Sequence, residues 1–174
     1  MPRPLDTEYA PAFRGYVSHV PEAEILPVLE SQPGDLDELL ATVNAERETY
    51  RYAPGKWSIR EIAGHLIDSE RVFGYRALCI ARGDTNSLPG FDENAYMLTA
   101  PYDGIALRDL LREFRLVRAA NISMLKNLNE EAWARVGTAN NSPVSVRALA
   151  FVMGGHLRHH VGVLRERYGV ESAS

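Results

Sequence analysis

The sequence predicts an all-α protein, a four-helix bundle with a long connection between its second and third long helices. Two observations carry this. Apolar residues recur at spacings of three and four in several separate stretches. No stretch alternates with the convincing two-residue period of a strand. The 174 residues suit one domain with a real core. The chain is therefore read as a single domain, 1–174, whose residues 1–20 form a Pro-, Tyr- and Arg-rich extended arm with one helical turn.

Pro21-Glu22-Ala23-Glu24 opens the first helical pattern, since acidic residues in a first turn suit the helix dipole. Ile25, Leu29, Leu36, Leu39, Leu40 and Val43 form its apolar stripe, with Pro27 in the first turn. Pro33-Gly34 interrupts it, which predicts two helices or one kinked helix ending near Glu48. Tyr52-Ala53-Pro54-Gly55-Lys56-Trp57 has turn chemistry. Ser58-Ile59-Arg60-Glu61 then spells a capping box. The second long helix follows, with Ile59, Ile62, Ala63, Leu66, Glu70, Phe73, Ala77 and Ile80 on one stripe and Gly83 as its C-terminal stop.

Residues 83–104 form the long connection, and connections of this length inside compact domains are often functional. The next helix spans 105–128, with Leu107, Leu110, Leu111, Phe114, Val117, Ile122, Leu125 and Leu128. Glu130-Glu131-Ala132-Trp133 reads as a short helix and Thr138–Pro143 as a loop. Ser145 caps the last helix, which carries Val146, Leu149, Ala150, Met153, Leu157, Val161 and Leu164 and stops before Gly169.

Hydrophobic residues make up 45% of the chain and charged residues 24%, ordinary values for a globular protein. The net charge of −4, without a basic tract, argues against nucleic acid as a partner. No apolar run is long enough for a membrane span, and no signal-peptide core follows Met1-Pro2-Arg3-Pro4, so the expected location is the cytoplasm. One cysteine, Cys79, allows no internal disulfide. It lies in the apolar run 77–81, as small core fillers do.

The chemistry concentrates in Gly154-Gly155-His156-Leu157-Arg158-His159-His160. His156 and His160 are four apart, which stacks them on one helical face, and two imidazoles one turn apart can bind one divalent metal. Three ligands are needed, and His65, well inside the second long helix, is the candidate for the third. His19, in the Pro-flanked stretch 17–21, ranks below it. With Val146, Leu157 and Leu164 at the centre of the buried stripe, His160 lies roughly 40° and His156 roughly 80° from that centre, whereas His159 lies roughly 140° away, toward solvent. Glu61 and Asp68 flank His65 one turn to either side. Each either serves the imidazole, as ligand or as hydrogen-bond acceptor, or lies on a solvated face. Glu70 sits on the apolar stripe and needs a partner, an arginine or the site itself. Trp57 reads as a hydrophobic lid and Trp133 as a core anchor. Phe91, Asp92 and Tyr96 either line a substrate mouth or belong to a plain connection.

Several passages together resemble the DinB-like superfamily, and within it the YfiT-like branch. They are Thr7-Glu8-Tyr9-Ala10-Pro11 with Val20-Pro21; Tyr52 to His65; Phe73-Gly74-Tyr75-Arg76-Ala77 with Ala81-Arg82-Gly83-Asp84; Leu88-Pro89-Gly90-Phe91-Asp92-Glu93; and Val146-Arg147-Ala148-Leu149 with Gly155-His156 and His159-His160. The resemblance implies a four-helix bundle, a homodimer, and a divalent metal, zinc or nickel, held by His65, His156 and His160. It also implies an enzyme that uses the metal to activate a low-molecular-weight thiol, of the bacillithiol or mycothiol kind, and transfers it to an electrophilic small molecule. Two other readings stay open: a metal-dependent hydrolase using metal-bound water, with Glu61, Asp68 and Asp92 as candidate catalytic carboxylates, and a non-catalytic metal-binding stress-response module. One departure is visible, since relatives often carry Glu directly after the first histidine of the last motif, where this chain has Leu157.

Overall fold

A computed structural model describes residues 2–171. Two short 3-10 turns, Asp6–Glu8 and Pro11–Phe13, lead into α1 (Arg14–Ser18). Then come α2 (Ile25–Leu40), α3 (Ile59–Ala81), β1 (Ser87–Leu88), α4 (Glu93–Thr99) and α5 (Leu107–Lys126). The chain closes with α6 (Glu130–Ala134), β2 (Val136–Ala139), β3 (Ser142–Ser145) and α7 (Val146–Tyr168). The four long helices α2, α3, α5 and α7 form the expected bundle. α2 and α3 each pack against both α5 and α7, so these two consecutive long helices occupy opposite corners.

Local chemistry sets the helix ends. Ser58 Oγ accepts the Glu61 N–H while Glu61 accepts the Ser58 N–H, the full capping box. Ser145 caps α7 and Asn129 caps α6 by the same side-chain bond to a backbone N–H. Gly83 follows α3 at φ +83° and Gly169 ends α7 at φ +60°, left-handed conformations that glycine adopts without steric cost.

Three expectations need correction. α2 starts at Ile25 and ends at Leu40, and it runs through Pro33 as one helix. Proline costs one backbone bond there, and burial of Ile25, Val28, Leu29, Leu36, Leu39 and Leu40 offsets it. Glu48 lies beyond the helix, where its carboxylate accepts from Arg60 Nε at 2.7 Å and the Leu107 N–H at 3.1 Å and ties the loop to the starts of α3 and α5. The long connection is partly ordered, because it contains β1 and α4. Finally, the chain has strands: β1 pairs in parallel with β2, which pairs antiparallel with β3. Asn140 and Asn141, at φ 50° and 60°, form a two-residue hairpin turn whose positive φ values asparagine tolerates. These strands are too short to show a period. The Asn140 N–H donates to the Leu88 carbonyl at 2.9 Å, so the small sheet anchors the loop that begins at Pro89.

A belt of polar side chains divides the core into two apolar clusters. One cluster holds Leu29, Phe73, Leu125, Leu149 and Met153. The other holds Leu36, Leu66, Leu110, Leu157 and Leu164. Between them Arg118 donates to both Glu70 oxygens, at 2.8 and 2.9 Å, and to Gln32 Oε1 at 2.8 Å. Gln32 in turn donates to the Gly154 carbonyl at 2.8 Å, and Asn121 donates to Glu70 at 2.9 Å. Every long helix contributes to this layer. Of the two partners foreseen for Glu70, the arginine is the one found. Trp133 is buried in the first cluster, as a core anchor should be.

Candidate metal centre

The three histidines converge beside the polar belt. His65 comes from the second turn of α3, and His156 and His160 come from successive turns of α7. All three are buried. His156 Nε2 lies 3.0 Å from His65 Nε2 and 3.2 Å from His160 Nε2. The donor atoms offered by the three residues lie within 4.8 Å of one another, the only such group of three or more His, Cys, Asp or Glu among the described residues. His159 is half-buried and stands outside it, with its ring 5.6 Å from Tyr16 and 6.1 Å from His19. His19 is likewise outside the group.

Backbone contact explains Gly155, directly before His156. A Cβ on Gly155 would fall 1.8 Å from the Tyr16 carbonyl oxygen, so only glycine lets α1 lie directly on α7. That contact sets the Tyr16 ring edge-on to His156 at 5.3 Å. Gly64 does the same on α3, where the Tyr102 ring occupies the space of a Cβ. Trp57 lies 4.7 Å from the His65 ring, and Phe73 stands edge-on to His156 at 5.6 Å. Trp57 thus covers the site as a lid would.

The donor chemistry fits a divalent cation. Nitrogen–metal bonds of 2.0–2.1 Å at tetrahedral angles place donors about 3.3 Å apart, and the observed separations are 3.0 and 3.2 Å. Burial lowers the His65 pKa to about 4. It pushes His156 and His160 well down too, helped by the neighbouring imidazoles. All three rings are therefore neutral at pH 7, the state that ligates. His65 Nδ1 and His160 Nδ1 are buried without a hydrogen-bond partner. If protons sit on Nδ1, the Nε2 lone pairs face one another; if they sit on Nε2, buried Nδ1 lone pairs are orphaned. A cation among the Nε2 atoms removes the repulsion.

The carboxylates named from the sequence are engaged elsewhere. Glu61 holds the capping box and pairs with Arg51 at 2.9 Å. Asp68 accepts from the Tyr102 hydroxyl, and burial raises its pKa against that bond. Asp92 caps α4 by accepting from the Asn94 and Ala95 N–H groups at 3.0 Å. Leu157 is buried in the apolar core and offers no polar group.

Two cavities open on the triad from either side of the start of α4. One, of about 180 Å³, is lined by His65 and His156 with Tyr16, Arg76, Phe91 and Glu93. The other, of about 210 Å³, is lined by His160 with Trp57, Lys56, Asn94 and Tyr168. Phe91 thus reaches the site, while Asp92 and Tyr96 line neither cavity. Sequence reasoning missed Tyr16, Arg76 and Glu93. Arg76 carried a usable signal, because it stands eleven residues after His65, three turns on along the same helical face. Tyr16 and Glu93 carried none, since the α1–α7 contact and the folded connection bring them in. Cys79 lines neither cavity and packs half-buried against the first cluster.

No described helix is long and apolar enough to cross a membrane. The sequence profile of the DinB superfamily matches residues 29–164. A protein of Oceanobacillus iheyensis named "putative metal-dependent hydrolase" is 21% identical over 143 residues, covering 82% of each chain. Among solved structures, the chain is similar to YfiT from Bacillus subtilis, described as "a probable metal-dependent hydrolase with an unusual four-helix bundle topology". The TM-score is 0.75 at 18% identity, over 84% of this chain and 87% of YfiT. It is also similar to the DinB-like protein YjoA of Bacillus subtilis, with a TM-score of 0.58 at 22% identity, over 86% of this chain and 96% of that one. The chain belongs to the DinB superfamily, with the fold of its YfiT-like branch.

Proposed function

We propose that His65, His156 and His160 hold one divalent metal, zinc or nickel, through their Nε2 atoms, and that the chain uses it to activate a low-molecular-weight thiol for transfer to an electrophilic small molecule. The observation that carries this is the neutral, buried triad flanked by two cavities, with the foreseen carboxylates engaged in caps and pairs. When bound, such an ion supplies Lewis acidity that stabilises a sulfur or oxygen anion at neutral pH. The residues of the chain do the rest. Trp57, Phe73 and Tyr16 limit water around the imidazoles and hold their rings. The two cavities offer separate approaches for thiol and acceptor. A thiol reaction needs no strong protein base, since a coordinated thiol loses its proton readily. Cys79, which lines neither cavity, is not the sulfur this reading uses.

One observation favours hydrolysis as a second reading. Glu93 lines the same cavity as His65 and His156 and can act as a base toward water. The names of the relatives point the same way. The two readings separate in one experiment, in which zinc- and nickel-loaded protein is assayed with a chlorodinitrobenzene-type acceptor with and without small thiols, and with a panel of esters. The transferase reading expects turnover that requires metal and thiol together and is unchanged in Cys79→Ala. Thiol-independent ester hydrolysis lost in Glu93→Gln and in His160→Ala would replace it with the hydrolase. Metal binding without turnover of either kind would leave a binding module.

A further inference from the structure

Arg76 is 4% exposed, yet among the described residues its guanidinium has one hydrogen bond, from Nη2 to the Pro89 carbonyl at 2.7 Å. Among the described residues no carboxylate lies within ion-pair distance of it. The other buried arginine, Arg118, is held by Glu70, and the half-buried Arg147 by Glu8. A guanidinium stays charged in proteins, and a buried charge is costly unless paired. Burial alone pushes its pKa down, with no opposing carboxylate.

His65, Ser69, Phe73 and Arg76 follow one another at steps of four, four and three, which puts them on one strip of α3. All four line the cavity of about 180 Å³ that His156 also enters. Eleven residues span about 16 Å of helix, and an arginine leaning toward the helix N-terminus recovers roughly 6 Å of it. An arginine that leans along this strip toward the triad brings its guanidinium to on the order of 10 Å from the imidazoles. The neutral triad brings no negative charge. Glu93, exposed on the same cavity, is the one carboxylate among the described residues that line it and disfavours anions where it stands. Arg76 is the one cation among the described residues that line it.

We infer that Arg76 docks a carboxylate carried by the thiol or its acceptor, about 10 Å from the end that reacts at the triad. This names the substrate class of the proposed enzyme, small anionic molecules with the reactive group remote from a carboxylate, and it rests on the metal reading above. Planar guanidinium recognises carboxylate through two parallel hydrogen bonds.

The test uses zinc-loaded protein and calorimetric titration with 8-mercaptooctanoate and 8-mercaptooctanol, which differ only at the far end. The carboxylate ligand is expected to bind about tenfold tighter or more, as a charge-assisted bond allows. The preference should disappear in Arg76→Gln and survive in part in Arg76→Lys. The short pair 3-mercaptopropionate and 2-mercaptoethanol cannot span the distance and should show no preference. Equal affinity of the long pair for the wild type, or a preference that persists in Arg76→Gln, overturns the inference. Zinc content and circular dichroism of Arg76→Gln check that the triad and fold are intact; if that variant does not fold, the chain-length dependence in the wild type and the Arg76→Lys result decide. If neither long thiol binds, octanoate against octanol separates the two claims. An Arg76-dependent preference for octanoate keeps the anion site while the thiol reading falls, and no preference ends both.

Discussion

His65 on α3 and His156 on α7 place their Nε2 atoms 3.0 Å apart, although 91 residues of chain separate them. Burial keeps both rings neutral, and protonation of either would bury a charge without a counter-ion. The expected consequence is acid sensitivity of the metal-free protein. The folded pKa of His65, about 4, lies below the ordinary value of 6.5, so the unfolded chain takes up the proton first. The stability is present above about pH 6.5 and is lost as pH falls through about 4, by an amount on the order of 3 kcal/mol for this residue. Urea unfolding of metal-free protein between pH 7.5 and 4 should show the decline, and His65→Asn should make it shallower, with His156 and His160 accounting for the remainder. A profile level over that window, or one as steep in His65→Asn, would speak against the neutral triad.

Removing one member of the polar belt should be costly. Arg118→Met leaves Glu70 charged and buried with Asn121 as its remaining side-chain partner, and the loss of a buried pair member typically costs about 3–5 kcal/mol. Replacing Glu70 and Arg118 together by apolar residues should cost less than Arg118→Met alone. Chemical denaturation of the two variants checks this, and a loss below about 1 kcal/mol in Arg118→Met would mean that the pair behaves like a surface one.

Gly155→Ala should push α1 off α7, because the added methyl meets the Tyr16 backbone oxygen and not a flexible side chain. The expected outcome is a destabilisation of about 1–3 kcal/mol together with weaker metal retention, since Tyr16 no longer holds the His156 ring. Gly162→Ala, where a Cβ meets nothing within 4 Å, is the control and should be neutral or slightly stabilising. Equal behaviour of the two variants would remove the role given to the α1–α7 contact.

The sequence disclosed most of the bundle because its long helices carry both a stripe and caps. Ser58 with Glu61, Gly83, Ser145 and Gly169 each mark a boundary by local chemistry that acts before any tertiary contact forms. The pairing of His156 with His160 was legible for the same reason, since helical spacing fixes the face on which they lie, while His65 joined them as the histidine inside a second helix and through the family resemblance. Residues brought in by tertiary contact were not. Tyr16 reaches the triad through a contact that depends on Gly155, and Glu93 through a connection held by a hairpin whose strands are four residues long. Glu61, Asp68 and Asp92 looked available because a carboxylate in sequence does not show its partner. In the fold those partners are a helix N-terminus, a tyrosine hydroxyl and a second helix N-terminus. The helix through Pro33 reflects tertiary burial overriding a local break signal.

The most direct measurement is the metal content of purified protein and of its histidine variants after loading with zinc or nickel. About one metal per chain is expected for the wild type and for His159→Ala. His65→Ala, His156→Ala and His160→Ala should each retain little, with circular dichroism showing that the helices persist. Full metal content in any of these three variants, or loss of metal in His159→Ala, would contradict the site.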